Sequence, residues 1–357
     1  MPLIFDGGRI PPRWAANSMR TSSSLANAVT QTQCVRIAIV NNMPDSALED
    51  TEMQFFELLE AAAGDVTVRL KLHCLRGVPR EDRGQQHLDN FYFSTDDLLK
   101  SCCDAMIITG TEPRQSDLRN EPYWSSLTEV LDWAEGNTAS TILSCLAAHA
   151  GVLYSDGIGR HRLSDKQFGI FDFARTGVHQ LNSSIGDQIR FPHSRWNEVR
   201  SNELTACGYT VLTKSIDSGV DTFVKRKKQS LFVHFQGHPE YSAHTLLKEY
   251  RRDIRRFLKS ERETYPSMPQ GYFSARAEEF VLKFRDAVLS GHRREELILD
   301  FPDDSVLGGL QKTWHASAVG VYRNWLAYIA ARMAEVPVFS AMAAVYPPTT
   351  RKRSALP

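Results

Sequence analysis

The chain has no charge of either sign to spare: Lys plus Arg and Asp plus Glu each number 42 in 357 residues, for a formal net charge of zero. A global basic field for nucleic acid or an anionic membrane surface is thereby excluded, and the partner to expect is a small molecule. No apolar run reaches the ~18 residues that suggest a membrane-spanning helix. The opening Met-Pro-Leu-Ile-Phe-Asp-Gly-Gly-Arg lacks the basic-then-apolar order of an export leader, so the cytoplasm is the default expectation. Cysteine is sparse. Cys34, Cys74, Cys102, Cys103, Cys145 and Cys207 show no Cys-x-x-Cys spacing, which argues against both a disulfide framework and a thiolate metal site. No internal repeat is visible.

What is present suits a globular enzyme. Apolar residues make up 42% and aromatics 10%, enough to fill one large α/β domain or two modest ones. Residues 1–32 carry Gly-Gly, Pro-Pro and a Ser/Thr/Asn/Gln-rich stretch, and read as an arm on the surface or a partly disordered lead-in. From Val35 onward, short apolar strands alternate with helical patterns. Val35 to Val40, Val66 to Cys74, Ala105 to Thr109 and Ala139 to Ser144 read as strands. The segment from Tyr123 carries Trp124, Leu127, Val130, Leu131 and Ala134 at helical spacing and is expected to stop at Gly136. This alternation predicts a doubly wound, mostly parallel sheet flanked by helices, with ligands gathering at the carboxyl ends of strands. Thr210 to Lys214, Thr222 to Lys225 and Ser230 to Phe235 read as hairpin strands. Helical segments at 249–262, 275–290 and 315–334 follow, and the tail from Tyr346 reads as loose. The expected division is an arm at 1–32, a catalytic domain at 33–258, a helical extension at 259–345 and a tail at 346–357.

Two short pieces carry chemistry. Ser144-Cys145-Leu-Ala-Ala-His149 follows an apolar strand, and Gly237-His238-Pro-Glu240-Tyr241 follows another. A free thiol is mostly protonated at neutral pH, so a nucleophilic cysteine needs a helix N-terminus, a histidine, or both. Cys145 has a route to each. His238 is placed to take the thiol proton, and Glu240 to fix the imidazole tautomer. Leu146 N–H, with a backbone donor from Gly110 or Thr111 at the neighbouring strand end, would form an oxyanion hole. His149, one turn after Cys145, reads as facing away from the pocket, with a second base as the alternative. This is the equipment of a cysteine-dependent acyl-transfer enzyme.

The chain resembles the homoserine O-acyltransferases related to class I glutamine amidotransferases, usually called homoserine O-succinyltransferases. The matching pieces run in order from about 34 to 330. They include Val40-Asn-Asn-Met-Pro44, Ile107-Ile-Thr-Gly110, Tyr123-Trp124, Lys166-Gln-Phe-Gly-Ile-Phe171, Phe191-Pro-His-Ser-Arg195, Gly237-His-Pro-Glu-Tyr241, Glu249-Tyr-Arg-Arg-Asp253 and Asn324-Trp-Leu326. The resemblance implies a class I glutamine amidotransferase-like fold and a ping-pong reaction without a bound cofactor. Cys145 would take an acyl group from an acyl-CoA, succinyl-CoA being preferred, and pass it to the γ-hydroxyl of homoserine for methionine synthesis. It also implies that Lys166, Ser194 and Arg252 hold substrate, and that the chain is a homodimer. The position tied in the family to donor choice falls on Arg114, whose cation would suit a succinyl carboxylate; a solvent-facing Arg114 is the other reading. The chain departs from the family at Leu146-Ala-Ala-His149, where the pattern is Trp-Gly-Ala-Gln, and at Thr111-Glu112. Serine as acceptor, an amidotransferase or amidase using the same three residues, and a non-catalytic binding protein are the alternatives.

Overall fold

A computed structural model describes residues 3–21, 33–183 and 185–335. In chain order its first part comprises β1 (Leu3–Phe5), α1 (Pro12–Thr21), β2 (Cys34–Val40), α2 (Asp45–Ala63), β3 (Thr67–His73), α3 (Asp82–Phe91), α4 (Thr95–Lys100), β4 (Ala105–Ile108), α5 (Trp124–Asn137), β5 (Ser140–Ser144) and α6 (Leu146–Asp156). A middle part follows with β6 (His161–Arg175), β7 (Gln188–Glu198), α7 (Ser201–Ala206), β8 (Thr210–Val211), β9 (Thr213–Ser215), β10 (Gly219–Val220), β11 (Thr222–Lys227) and β12 (Ser230–Phe235). The last part is helical: α8 (Thr245–Leu258), α9 (Ala275–Ser290), α10 (Asp303–Leu307) and α11 (His315–Glu335). The expected loose tail lies outside the described residues.

The large sheet has the order β1-β3-β2-β4-β5-β12-β11-β8. Every pair from β1 through to β12 is parallel; β11 then runs antiparallel to both of its neighbours, β12 and β8. The expected doubly wound, mostly parallel sheet is therefore the fold. Its central strands β4, β5 and β12 are buried along their whole length, as strands covered on both faces must be. On one face α2 contributes Phe55, Phe56, Leu58 and Leu59, joined by Tyr322, Trp325 and Ile329 of α11. On the other, α5 packs Leu127, Val130 and Leu131 beside Ala147 and Ala150 of α6. Trp325 Nε1 also donates to Ser140 Oγ at 2.9 Å, so α11 is pinned under the centre of the sheet.

Four features that the sequence reading did not anticipate have physical reasons. Leu3–Phe5 is an edge strand on β3, because Phe5 and Trp14 dock edge-on against Phe56 with ring centroids 5.0 and 5.5 Å away. The polar stretch after Cys74 folds as α3, a helix whose one fully buried residue is Gly84 and which therefore has no apolar stripe to read. α5 runs through Gly136 and ends at Asn137, with the Thr138 N–H and hydroxyl both on the Ala134 carbonyl. Finally, residues 161–198 form a long antiparallel pair, β6 with β7, extended by β9 and β10 into a second sheet of order β10-β9-β6-β7. The stretch Thr210 to Lys214 is thus split, β8 joining the large sheet and β9 the small one.

Candidate active site

β5 ends on the buried Ser144, and the chain must reverse direction at once to begin α6. Cys145 makes that turn with φ 52° and ψ −112°, a backbone conformation that costs an L-residue roughly 1–3 kcal/mol. The strain is held by the Cys145 N–H on the Phe235 carbonyl at 2.8 Å, which ties the elbow to the end of β12. Its carbonyl already accepts from Ala148 N–H at 3.0 Å, so Cys145 caps α6. The thiol is partly exposed and stands at the positive end of an 11-residue helix.

β12 is parallel to β5 and adjacent to it, so the residues after Phe235 emerge beside the elbow. Gly237 N–H is held by Asp221 Oδ1 at 2.9 Å, and His238 N–H donates to the Pro192 carbonyl at 2.8 Å. His238 Nδ1 lies 2.9 Å from Glu240 Oε1, which also accepts from Ser144 Oγ at 3.3 Å. With Nδ1 occupied, Nε2 is the nitrogen left to face the Cys145 sulfur, which acts on the ring. Burial opposes the charging of His238, yet Cys145 and the hydrogen-bonded Glu240 hold it well above the usual imidazole range. The arrangement favours a charged imidazolium beside the sulfur. The structure thus brings Cys145, His238 and Glu240 together at the carboxyl ends of two parallel strands.

Gly110 follows β4 and meets the start of α6. A Cβ there would lie 2.8 Å from Leu146 Cβ and 2.9 Å from Leu146 N, so only glycine allows this approach. Asn42 fixes the preceding residue: its N–H donates to Thr109 Oγ1 at 2.8 Å and its Nδ2 to the Thr109 carbonyl at 3.0 Å. The backbones of Gly110 and Leu146 are thereby neighbours, with Thr111 next along. Arg114 is exposed; its backbone N–H and that of Gln115 both donate to Glu121 Oε1, at 2.6 and 2.7 Å. His149 is buried, with Nε2 on Gln236 Oε1 at 2.9 Å. Burial and the Arg195 charge push His149 down to about 3, so it is neutral.

Lys166 of β6, Ser194 of β7 and Arg252 of α8 gather around two carboxylates of α8. Lys166 Nζ is 3.0 Å from Asp253 Oδ2 and 3.6 Å from Glu249 Oε2. Ser194 Oγ donates to Glu249 Oε2. Arg252 Nη2 reaches Asp253 Oδ1 at 2.9 Å and Glu249 Oε2 at 3.6 Å, and its side chain stays 46% exposed, leaving an open edge for a ligand. Burial disfavours the Asp253 charge, but Lys166 and Arg252 outweigh it and hold the carboxyl below the usual range. Tyr241 Oη donates to Glu249 Oε1 at 2.7 Å. Sequence reasoning did not single out Glu249, Asp253 or Tyr241, although all lie inside motifs it quoted. The one signal was nearness in sequence, Tyr241 next to Glu240, Asp253 next to Arg252 and Glu249 two residues before Arg251. Arg251 and Arg255 are paired elsewhere, with Asp303 at 2.7 Å and Glu295 at 3.8 Å. A separate cleft of about 560 Å³, lined by Arg13, Asp50, Gln54, Glu57, Lys248 and Arg251 among others, contains none of the three residues at the elbow.

A thiol on a strand-to-helix elbow, beside a His–Glu pair at the carboxyl edge of a parallel sheet, defines a class of α/β proteins with an elbow cysteine. Within that class the chain belongs to the homoserine O-succinyltransferase family, whose model matches residues 15–336, and it is an acyltransferase. It is 41% identical over 332 residues to a homoserine O-succinyltransferase from Rhodopseudomonas palustris, covering 92% of this chain and 99% of the relative. A homoserine O-succinyltransferase from Bradyrhizobium japonicum is 40% identical with the same coverage of both chains. Among solved structures, a glutamine amidotransferase from Thermotoga maritima aligns loosely, with 12% identity and a TM-score of 0.41 over 84% of this chain and 99% of that one. Among the described residues no helix is long and apolar enough to cross a membrane.

Proposed function

We propose that the enzyme transfers a succinyl group from succinyl-CoA to the γ-hydroxyl of L-homoserine through a Cys145 thioester, in cytoplasmic methionine biosynthesis. The observation that carries this reading is Cys145 on a strained elbow, with His238 emerging from the adjacent parallel strand and Glu240 behind its ring. In the first half-reaction the Cys145 thiolate attacks the thioester carbonyl, and Leu146 N–H with the Gly110–Thr111 backbone receives the oxyanion. The carbon–sulfur bond to CoA then breaks, and the His238 imidazolium gives its proton to the departing sulfur. In the second, neutral His238 takes the homoserine hydroxyl proton as the oxygen attacks the acyl carbon. Cys145 leaves as a thiolate, and the thiolate–imidazolium pair is restored.

Lys166, Ser194 and Arg252 serve the acceptor in this scheme, the open edge of Arg252 gripping the amino-acid carboxylate in a bidentate pair. Arg114 would meet the free carboxylate of the succinyl group. The chemistry is assigned to residues 33–258, with 259–345 as the helical extension. A homodimer is part of the proposal on family likeness alone, because α11 spends its apolar face inside the chain on Tyr322, Trp325 and Ile329. The test is a steady-state comparison of succinyl- and acetyl-CoA against homoserine and serine, with glutaminase activity assayed beside it. Succinyl-CoA with homoserine is expected to give the highest kcat/KM. Glutamine hydrolysis without acyl-CoA turnover would overturn the reading.

A further inference from the structure

The small sheet meets the large one directly behind the loop that carries His238. Asp221 is the single residue between β10, in the small sheet, and β11, in the large one, and it is fully buried. Its Oδ1 accepts from Gly237 N–H at 2.9 Å, its Oδ2 from the Thr222 hydroxyl at 2.6 Å, and its carbonyl from Gln236 N–H at 3.1 Å. The next amide, His238 N–H, is bound to the Pro192 carbonyl of β7 at 2.8 Å. Three consecutive amides are thus held before the imidazole begins, two of them by one residue. The fit leaves no slack. A Cβ on Gly237 would lie 2.6 Å from His193 Nε2 and 2.8 Å from both Asp221 Oδ1 and the Pro192 carbonyl oxygen, so only glycine allows this approach. His193 completes the wall. Burial pushes it down to about 4, helped by the Arg195 and His238 charges and opposed by Asp221, so the ring is neutral. Arg195 Nε donates to its Nδ1 at 3.2 Å, which leaves the ring proton on Nε2, 3.1 Å from Asp221 Oδ1.

Glu240 and Tyr241 set the rotation and the plane of the His238 ring, but both belong to the loop whose place must itself be fixed. The anchors before the ring are Asp221 and Pro192. We propose that Asp221 is a positioning residue: its Oδ1 clamps Gly237 N–H and so sets where the His238 imidazole stands relative to the Cys145 sulfur. The inference rests on the Cys145–His238–Glu240 reading. It deepens that reading by giving the small sheet the work of mounting the base. Asp221 acts through the backbone of Gly237, and the cost of losing it is one of geometry, since a reacting group displaced by ~1 Å slows a reaction on the order of 100-fold.

The experiment is iodoacetamide alkylation of Cys145 at neutral pH in the full chain, with steady-state succinyl transfer and melting curves beside it. The proteins are the parent, Asp221→Ala, Asp221→Asn, His238→Ala, and Asp221→Ala combined with His238→Ala. Asparagine keeps an oxygen for Gly237 N–H and turns its Nδ2 to Thr222 Oγ1, whereas alanine keeps neither bond. Asp221→Ala is expected to lower kcat on the order of 100-fold and to slow alkylation part of the way to the His238→Ala rate, while Asp221→Asn restores both. The combined variant should alkylate no more slowly than His238→Ala, because a clamp that works through the imidazole then has nothing to aim. Alkylation and turnover of Asp221→Ala at the parent rates would overturn the proposal. So would an Asn variant as slow as the Ala variant, or a combined variant slowed by the product of the two single effects, which points to general loosening. If Asp221→Ala does not melt cooperatively, Gly237→Ala, whose methyl would meet the same Oδ1 at 2.8 Å, takes its place in the cycle with the same outcomes. A His238→Ala variant that alkylates at the parent rate sinks the underlying reading instead, whatever happens at residue 221.

Discussion

Tyr241 lies flat on His238, ring centroids 4.1 Å apart and planes 18° from parallel, and the hydroxyl of the same tyrosine is bonded to Glu249. One side chain therefore spans the distance between the imidazole and the charged cluster of Lys166, Ser194 and Arg252. A substrate amino group or carboxylate that disturbs Glu249 would be felt at the ring, and the two halves of the site are built as one unit.

The His238 imidazole is held charged by Cys145 and Glu240 against its burial. Removing that ring in His238→Ala is expected to slow iodoacetamide alkylation of Cys145 at neutral pH, and an unchanged rate would take His238 away from the thiol. The same pair couples to folding. A raised imidazole pKa gives stability that is fully present below the unfolded value of about 6.5 and is lost as pH rises through the folded value. Denaturation midpoints should therefore fall on the alkaline side, and less so in His238→Ala.

Gly110→Ala places a methyl 2.8 Å from Leu146 Cβ and 2.9 Å from its nitrogen. One of the two backbones must move, and acyl loading is expected to slow on the order of 100-fold. Single-turnover release of CoA measures it; loading at the parent rate would remove Gly110 from the oxyanion hole.

Arg252→Ala should raise the KM for homoserine ~10–100-fold, the range for losing a hydrogen bond to a charged group, with acyl loading from succinyl-CoA unchanged. A defect confined to loading would place Arg252 on the donor side.

Arg114 is exposed, so any pairing with a donor carboxylate is a surface ion pair. Arg114→Glu is expected to shift the succinyl- to acetyl-CoA preference by about fivefold toward acetyl. An unaltered donor ratio takes Arg114 out of the pocket.

The sheet and the elbow were legible because their signals are local. Apolar strands buried on both faces, and a cysteine or histidine placed directly after one, are written in a few consecutive residues. The charged cluster around Glu249 and Asp253 was only half legible. Lys166, Ser194 and Arg252 came from likeness to a family, since they are brought together by β6, β7 and α8, which no spacing along the chain connects. Residues 161–198 carry polar side chains along both faces of β6, so no clean alternation marked the second sheet.

The most direct measurement is intact-protein and peptide mass spectrometry of the enzyme mixed with succinyl-CoA in the absence of acceptor. One succinyl group should appear on Cys145, vanish on adding homoserine with O-succinylhomoserine formed in equal amount, and fail to appear in Cys145→Ala. An unmodified Cys145 in an enzyme that still makes product, or a label on another residue, would contradict the account.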